Sequence, residues 1–203
     1  MAADLAPQKR ALRAELRERR RNLTRDERAS ATEGITERLS ELTRTVGARS
    51  VSCYLSAVDE PNTRPFVNWA RGAGIRVLFP ITRTDGLLDW TTATDDEEEV
   101  LGVAGVPEPV GELLGPIAIN DVDLIIVPAA SVDAAGMRLG WGRGYYDKTL
   151  GSMERCPPVY GVLFDSELVD EVPRERHDQA IDGVVTPTRT VEFSTRSARR
   201  RRI

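Results

Sequence analysis

The chain has two cysteines among 203 residues, Cys53 and Cys156, and neither belongs to a CxxC pair. That argues against a disulfide framework and for a reducing compartment. There is one histidine, His177. With so few imidazole and thiolate ligands a zinc site is disfavoured, and any metal should be a hard cation on oxygens, such as magnesium. Long apolar runs are missing as well. The N-terminus has no signal-peptide core and no run is long enough to cross a bilayer, so a cytoplasmic protein without a membrane partner is expected. A global positive field is also absent. Lys and Arg number 28 against 32 Asp and Glu, for a net charge of −4, which weighs against nucleic acid as a partner.

What remains is an ordinary globular composition, 40% hydrophobic and 30% charged, long enough for one cored domain. Lys9 to Arg21 is helix-prone, with Leu12 and Leu16 as a thin apolar stripe. Thr24 to Glu27 ("TRDE") has capping-box spacing, predicting a second helix with Ile35, Leu39, Leu42 and Val46 on one face and Gly47 as its stop. Short continuous apolar runs follow at Val51–Leu55, Ile75–Pro80, Val122–Ala129 and Pro158–Phe164, with a further candidate at Asp182–Thr188. Continuous rather than alternating runs suggest strands buried on both faces. A short helix capped by Asn62 or Thr63 lies between the first two. Residues 82–120 read as loops and shorter strands over one edge. The expected fold is α/β: a mostly parallel sheet flanked by helices, a Rossmann-like layered sandwich, led by a basic N-terminal helix pair. One domain over residues 1–190 and a flexible basic tail over 191–203 are expected, since apolar periodicity fades from about Arg189.

After the strongest strand comes "RLGWGRGYYDKTL", Arg138 to Leu150. Loops beyond the carboxyl ends of strands in open α/β sheets are ligand sites. Gly140, Gly142 and Gly144 allow close backbone approach, and amides at the next helix start would face an anion. No GK[ST] follows, so this is not a Walker A loop; Tyr145 replaces the third glycine of a GxGxxG loop. Spacing alone leaves a flexible turn with core tyrosines nearly as good a reading. Arg138 and Arg143 tilt it toward phosphate.

The stretch closely resembles the signature of the 5-formyltetrahydrofolate cyclo-ligase (methenyltetrahydrofolate synthetase) family. "QKRALRAELRERR", "YLSAVDEPNT", "GVPEP", "VDLIIVPA" and "ERHDQAIDGVVTPT" resemble other family segments in order. The resemblance implies ATP- and magnesium-dependent cyclisation of 5-formyltetrahydrofolate to 5,10-methenyltetrahydrofolate by a monomer acting on small molecules. It implies ATP contacts at Lys9, Arg13 and the loop residues Arg138, Leu139, Gly140, Trp141, Gly142, Arg143, Gly144, Tyr145 and Tyr146. Substrate contacts fall to Leu55, Glu60 and Trp141 through Tyr145, and magnesium ligands to Asp147 and Asp178. Arg138, Arg143 and Tyr145 are the candidate catalytic residues. His177 is not expected to act as a base. Trp141 and Arg143 depart from the residues usual at their positions, and neither change removes a needed group. Two alternatives stay open: another α/β enzyme of phosphate-bearing ligands, and a nucleic-acid-binding protein using its arginine-rich helix and tail.

Overall fold

The computed structural model describes residues 5–92, 98–175 and 178–193. The chain opens with α1 (Leu5–Arg21) and α2 (Arg25–Val46). The break between them is the expected capping box: Thr24 Oγ1 accepts from the Glu27 amide, and Glu27 Oε2 accepts from the Thr24 amide. Gly47 ends α2, and Ile35, Leu39 and Leu42 are buried along one face. Val46, expected with them, is 38% exposed. It is the last helical residue, and Ala48 beyond the turn fills the core position instead.

The strands in chain order are β1 (Ser50–Ser52), β2 (Arg76–Thr82), β3 (Leu88–Thr91), β4 (Glu99–Leu101), β5 (Pro107–Pro109), β6 (Leu113–Leu114) and β7 (Leu124–Pro128). They continue with β8 (Ser131–Asp133), β9 (Arg138–Leu139), β10 (Val159–Val162), β11 (Leu168–Val169), β12 (Gly183–Val185) and β13 (Thr190–Glu192). Helix α3 (Arg64–Gly72) joins β1 to β2, and α4 (Tyr145–Ser152) precedes β10. The main sheet runs β13-β12-β10-β7-β1-β2-β3-β6. Its five middle strands are parallel, while β13, β3 and β6 are antiparallel additions at the edges. This is the expected mostly parallel α/β sheet flanked by helices.

The continuous apolar runs are explained by burial on both faces. On one face Val51, Val77, Phe79, Leu124 and Ile126 pack against Ile35 and Leu39 of α2 and Phe66 of α3. On the other, Leu78, Ile125, Val127 and Val184 pack against Tyr146 and Leu150 of α4. Strand β1 is shorter than predicted because the chain leaves the sheet after Ser52; Tyr54 and Leu55 turn toward the cleft described below. Thr63 is the N-cap of α3, but its hydroxyl bonds the Tyr54 carbonyl at 2.7 Å; Asn62 Oδ1 takes the Arg64 amide instead.

The predicted tail boundary falls inside a strand. Thr190–Glu192 pairs with β12, and Phe193 is 6% exposed in the second core. Residues 191 and 192 therefore belong to the sheet, and Phe193 to the core beside it. Two short units complete the fold: the hairpin β4–β5 and the three-stranded β11-β8-β9. Helix α1 docks on the latter through Leu16, which packs with Ala130, Leu139 and Val172. Full burial of one leucine contributes about 2 kcal/mol. So thin a stripe leaves much of the docking to polar anchors, chiefly Arg20.

Candidate active site

A cleft of about 670 Å³ opens where β1, β2 and β7 end at their carboxyl termini, lined there by Tyr54, Thr82 and Pro128. Helix α1 forms one wall, the glycine loop another, and the tip of the β4–β5 hairpin a third. Lys9, Arg13, Leu55, Glu60, Asp178 and the whole run from Arg138 to Asp147 line it. The structure thus brings together side chains separated by more than 160 positions in sequence.

Helix α1 presents a charged face because Lys9, Arg13, Arg17 and Arg20 recur every three or four residues. Lys9 is 6% exposed and bonds Asp178 at 2.7 Å and Glu175 at 2.8 Å. Burial pulls the Lys9 pKa down, but the bonds to both carboxylates outweigh it and the net shift is upward. Arg13 Nε donates to the Gly140 carbonyl at 2.7 Å, tying α1 to the glycine loop. Loss of water lowers the Arg13 pKa, with Arg17 adding to the effect.

The loop is shaped by Gly142 (φ 98°) and Gly144 (φ 71°), both in backbone conformations that favour glycine. Gly144 is the N-cap of α4, and no side chain caps that end. Its first amides and dipole therefore face the cleft, a ready anion site. Arg138 is 5% exposed; Nη2 bonds Asp147 at 3.0 Å and Nη1 bonds the Pro128 carbonyl at 3.2 Å. Arg143 is exposed at the mouth. The Tyr145 hydroxyl donates to the Arg83 carbonyl at 3.0 Å. The Leu139 side chain is packed under α1, so only its backbone is offered to a ligand. The ring of Tyr146 is core, and burial drives its hydroxyl pKa upward. Trp141 is already engaged: Arg17 and Arg20 each place Cζ 4.9 Å from its ring centre.

Glu60 is half-buried, and its carboxylate accepts from the Ala57 amide at 3.0 Å. Desolvation raises its pKa, countered in part by that amide, the Arg20 charge and the indole N–H of Trp141. The indole leans toward Glu60 without reaching hydrogen-bond geometry. Cys53 is buried in the core just past β1 and its thiol is pushed up to about 12, which suits a core residue. His177 lies outside the described residues.

Asp147 and Asp178 line the same cleft. The Gln179 amide, one residue past Asp178, donates to Asp147 Oδ1 at 3.3 Å. Arg138 also bonds Oδ1, so among the described residues Asp147 Oδ2 accepts no bond. Two carboxylates beside a glycine loop at a helix start are a donor set that fits magnesium, which completes its shell with waters and ligand oxygens. No cluster of three or more metal-binding side chains occurs among the described residues. None of their helices is long and apolar enough to cross a membrane.

Arg20, Tyr54 and Glu175 also line this cleft, although the sequence reading assigned none of them a site role. Arg20 shares the charged face of α1 with Lys9, Arg13 and Arg17. Nothing local pointed to Glu167, its partner 147 positions away, at 2.6 and 2.9 Å.

A parallel α/β sheet with a cation-rich cleft beyond its carboxyl ends defines a ligand-binding α/β protein of the kind that houses enzymes. The sequence model of the 5-formyltetrahydrofolate cyclo-ligase family matches residues 6–187, and the chain belongs to that family of enzymes. A 5-formyltetrahydrofolate cyclo-ligase of Mycolicibacterium smegmatis is 34% identical over 185 residues, 89% of this chain and 94% of that protein. One from Escherichia coli is 30% identical, covering 88% of this chain and 100% of its own. The solved structure of Aquifex aeolicus 5,10-methenyltetrahydrofolate synthetase superposes with a TM-score of 0.76 at 26% identity, over 92% of this chain and 93% of that one. The Mycoplasma pneumoniae synthetase shares the fold, with a TM-score of 0.69 at 20% identity.

Proposed function

We propose that this enzyme cyclises 5-formyltetrahydrofolate to 5,10-methenyltetrahydrofolate at the expense of ATP, with magnesium. The observation that carries the reading is the meeting of Lys9, Arg13 and Arg138 with Asp147 and Asp178 around a glycine loop at an uncapped helix N-terminus. A formamide oxygen is a poor leaving group. Here it attacks the γ-phosphorus and ADP departs. N10 then attacks the formyl carbon and loses its proton, and phosphate leaves carrying the formyl oxygen.

Each group has work that suits its place. The α4 amides, Lys9 and Arg13 hold the triphosphate, and Arg143 at the mouth lends charge to the transferring phosphoryl group. Arg138 is almost enclosed, so it acts at close range, pairing with Asp147 and bracing the loop. Tyr145, its proton committed to Arg83, fixes the loop's far end. Asp147 and Asp178 would hold magnesium. Bound magnesium supplies positive charge to the phosphate oxygens. Lys9 and Arg138 balance the two carboxylates as the cleft stands; an incoming triphosphate offers Lys9 stronger partners and frees an Asp178 oxygen for the metal, while Asp147 turns Oδ2 to it and keeps its bond to Arg138. Glu60 accepts from the donor edge of the pterin.

The reading is tested by phosphate release with purified protein. Release should require 5-formyltetrahydrofolate, ATP and magnesium together. Steady ATP hydrolysis without the folate would refute it.

A further inference from the structure

Arg20 is 1% exposed, yet it has more donors than the protein uses. Nε and Nη2 bond Glu167 at 2.6 and 2.9 Å, and Nη2 also bonds the Ala129 carbonyl at 2.8 Å. Nη1 is buried and has no partner among the described residues. A buried guanidinium nitrogen left this way is costly unless a ligand takes it. Two neighbours on the same cleft share the condition: Tyr54 Oη and Trp141 Nε1 are buried and without partners among the described residues. Across from them is Glu60, close enough for the Arg20 charge to act on its carboxyl group.

This pocket end therefore offers one carboxylate flanked by donors. The aminopyrimidinone edge of a pterin reads, in order, 2-amino donor, N3–H donor and C4 carbonyl acceptor. A carboxylate takes the first two, and the carbonyl then falls to the donor beside it. The Trp141 N–H leans to Glu60, and the Tyr54 hydroxyl is free to rotate. Arg20 alone offers a charged donor held in a fixed direction.

We propose that Arg20 is a substrate-binding residue whose Nη1 donates to the C4 oxygen of the pteridine ring, beside the edge held by Glu60. The proposal rests on the folate reading above. The principal test is the double variant Arg20→Met/Glu167→Gln, which removes both charges of the pair while the new carboxamide keeps an acceptor for the Phe164 amide. Its KM for 5-formyltetrahydrofolate should rise by about tenfold or more, the scale of one charge-assisted hydrogen bond, with half-saturating ATP unchanged. Arg20→Lys, which keeps charge but loses the fork, should show the same split. A merely structural role would lower kcat or raise both constants together, and either result overturns the proposal. Competition by 4-oxo and 4-amino folate analogues gives a measurement on the wild type. Wild type should prefer the 4-oxo ligand and the variants should lose much of that preference. Equal wild-type binding of the two, or an undiminished preference in the variants, overturns it. If wild type fails to turn over 5-formyltetrahydrofolate at all, it is the folate reading that has failed.

Discussion

Replacing Gly142 by alanine perturbs the loop in two ways, and Gly144 separates them. Both glycines sit at positive φ, where an L side chain costs about 1–2 kcal/mol. A Cβ at Gly144 would meet nothing within 4 Å. A Cβ at Gly142 would lie 3.3 Å from Cζ and Nη1 of Arg13. That contact is tight enough to push a guanidinium whose Nε is anchored 2.7 Å from the Gly140 carbonyl. Both variants should melt lower by a similar margin, roughly 2–8 °C for a chain of this length. Only Gly142→Ala should displace Arg13 from the phosphates. One charge-assisted bond lost is about 1.5–3 kcal/mol, or roughly tenfold to a hundredfold in half-saturating ATP. Gly144→Ala should change that constant by no more than about threefold, a shift under the roughly 1.4 kcal/mol that a tenfold change represents. The assay is steady-state turnover at saturating folate and magnesium, with melting measured in parallel. Equal effects of the two substitutions on ATP would refute the argument that Arg13 reaches the phosphates through the space Gly142 leaves.

Glu60→Gln should trade activity for stability. The folded state holds the Glu60 proton to higher pH than the unfolded chain, so ionisation subtracts stability as pH rises from about 4.3 through the folded value. The variant should therefore melt above wild type at neutral pH, with the gap closing below the unfolded value, while its KM for folate rises; a constant gap across that range would refute the linkage. Asp147→Asn and Asp178→Asn should each fold and raise the magnesium needed for half-maximal turnover by at least about tenfold, one interaction of roughly 1.4 kcal/mol. Wild-type magnesium titrations in both would move the metal elsewhere. Phe193→Ala should cost about 3 kcal/mol by denaturant unfolding, because the side chain is core, whereas deleting residues 194–203 should leave turnover intact.

Much of this was legible in the sequence, and the parts that were not share a cause. Capping at Thr24–Glu27 and burial of the apolar runs are decided by neighbours a few residues apart, and the spacing showed them. The pairing of β13 was hidden because Thr190 and Glu192 are exposed on an edge strand, leaving only Val191 and Phe193 to mark it. Glycine spacing gave the loop its freedom, but not the bond from Arg13 to Gly140 that fixes its position. Motif matching marked Trp141 as a ligand contact; that α1 lays two arginines against it depends on the docking of Leu16, a contact between distant segments. The same docking creates the Arg20–Glu167 pair. Local chemistry is written in the order of residues, whereas a cleft wall built from the first helix and the last loops is written only in the fold.

The central claim is that ATP activates the formyl oxygen by taking a phosphoryl group onto it. Substrate carrying heavy oxygen in its formyl group tests this directly. With ATP and magnesium, the account predicts that the heavy atom appears in the released phosphate, one per methenyltetrahydrofolate formed. If the label goes to water instead, the formyl oxygen was never phosphorylated and the account is contradicted.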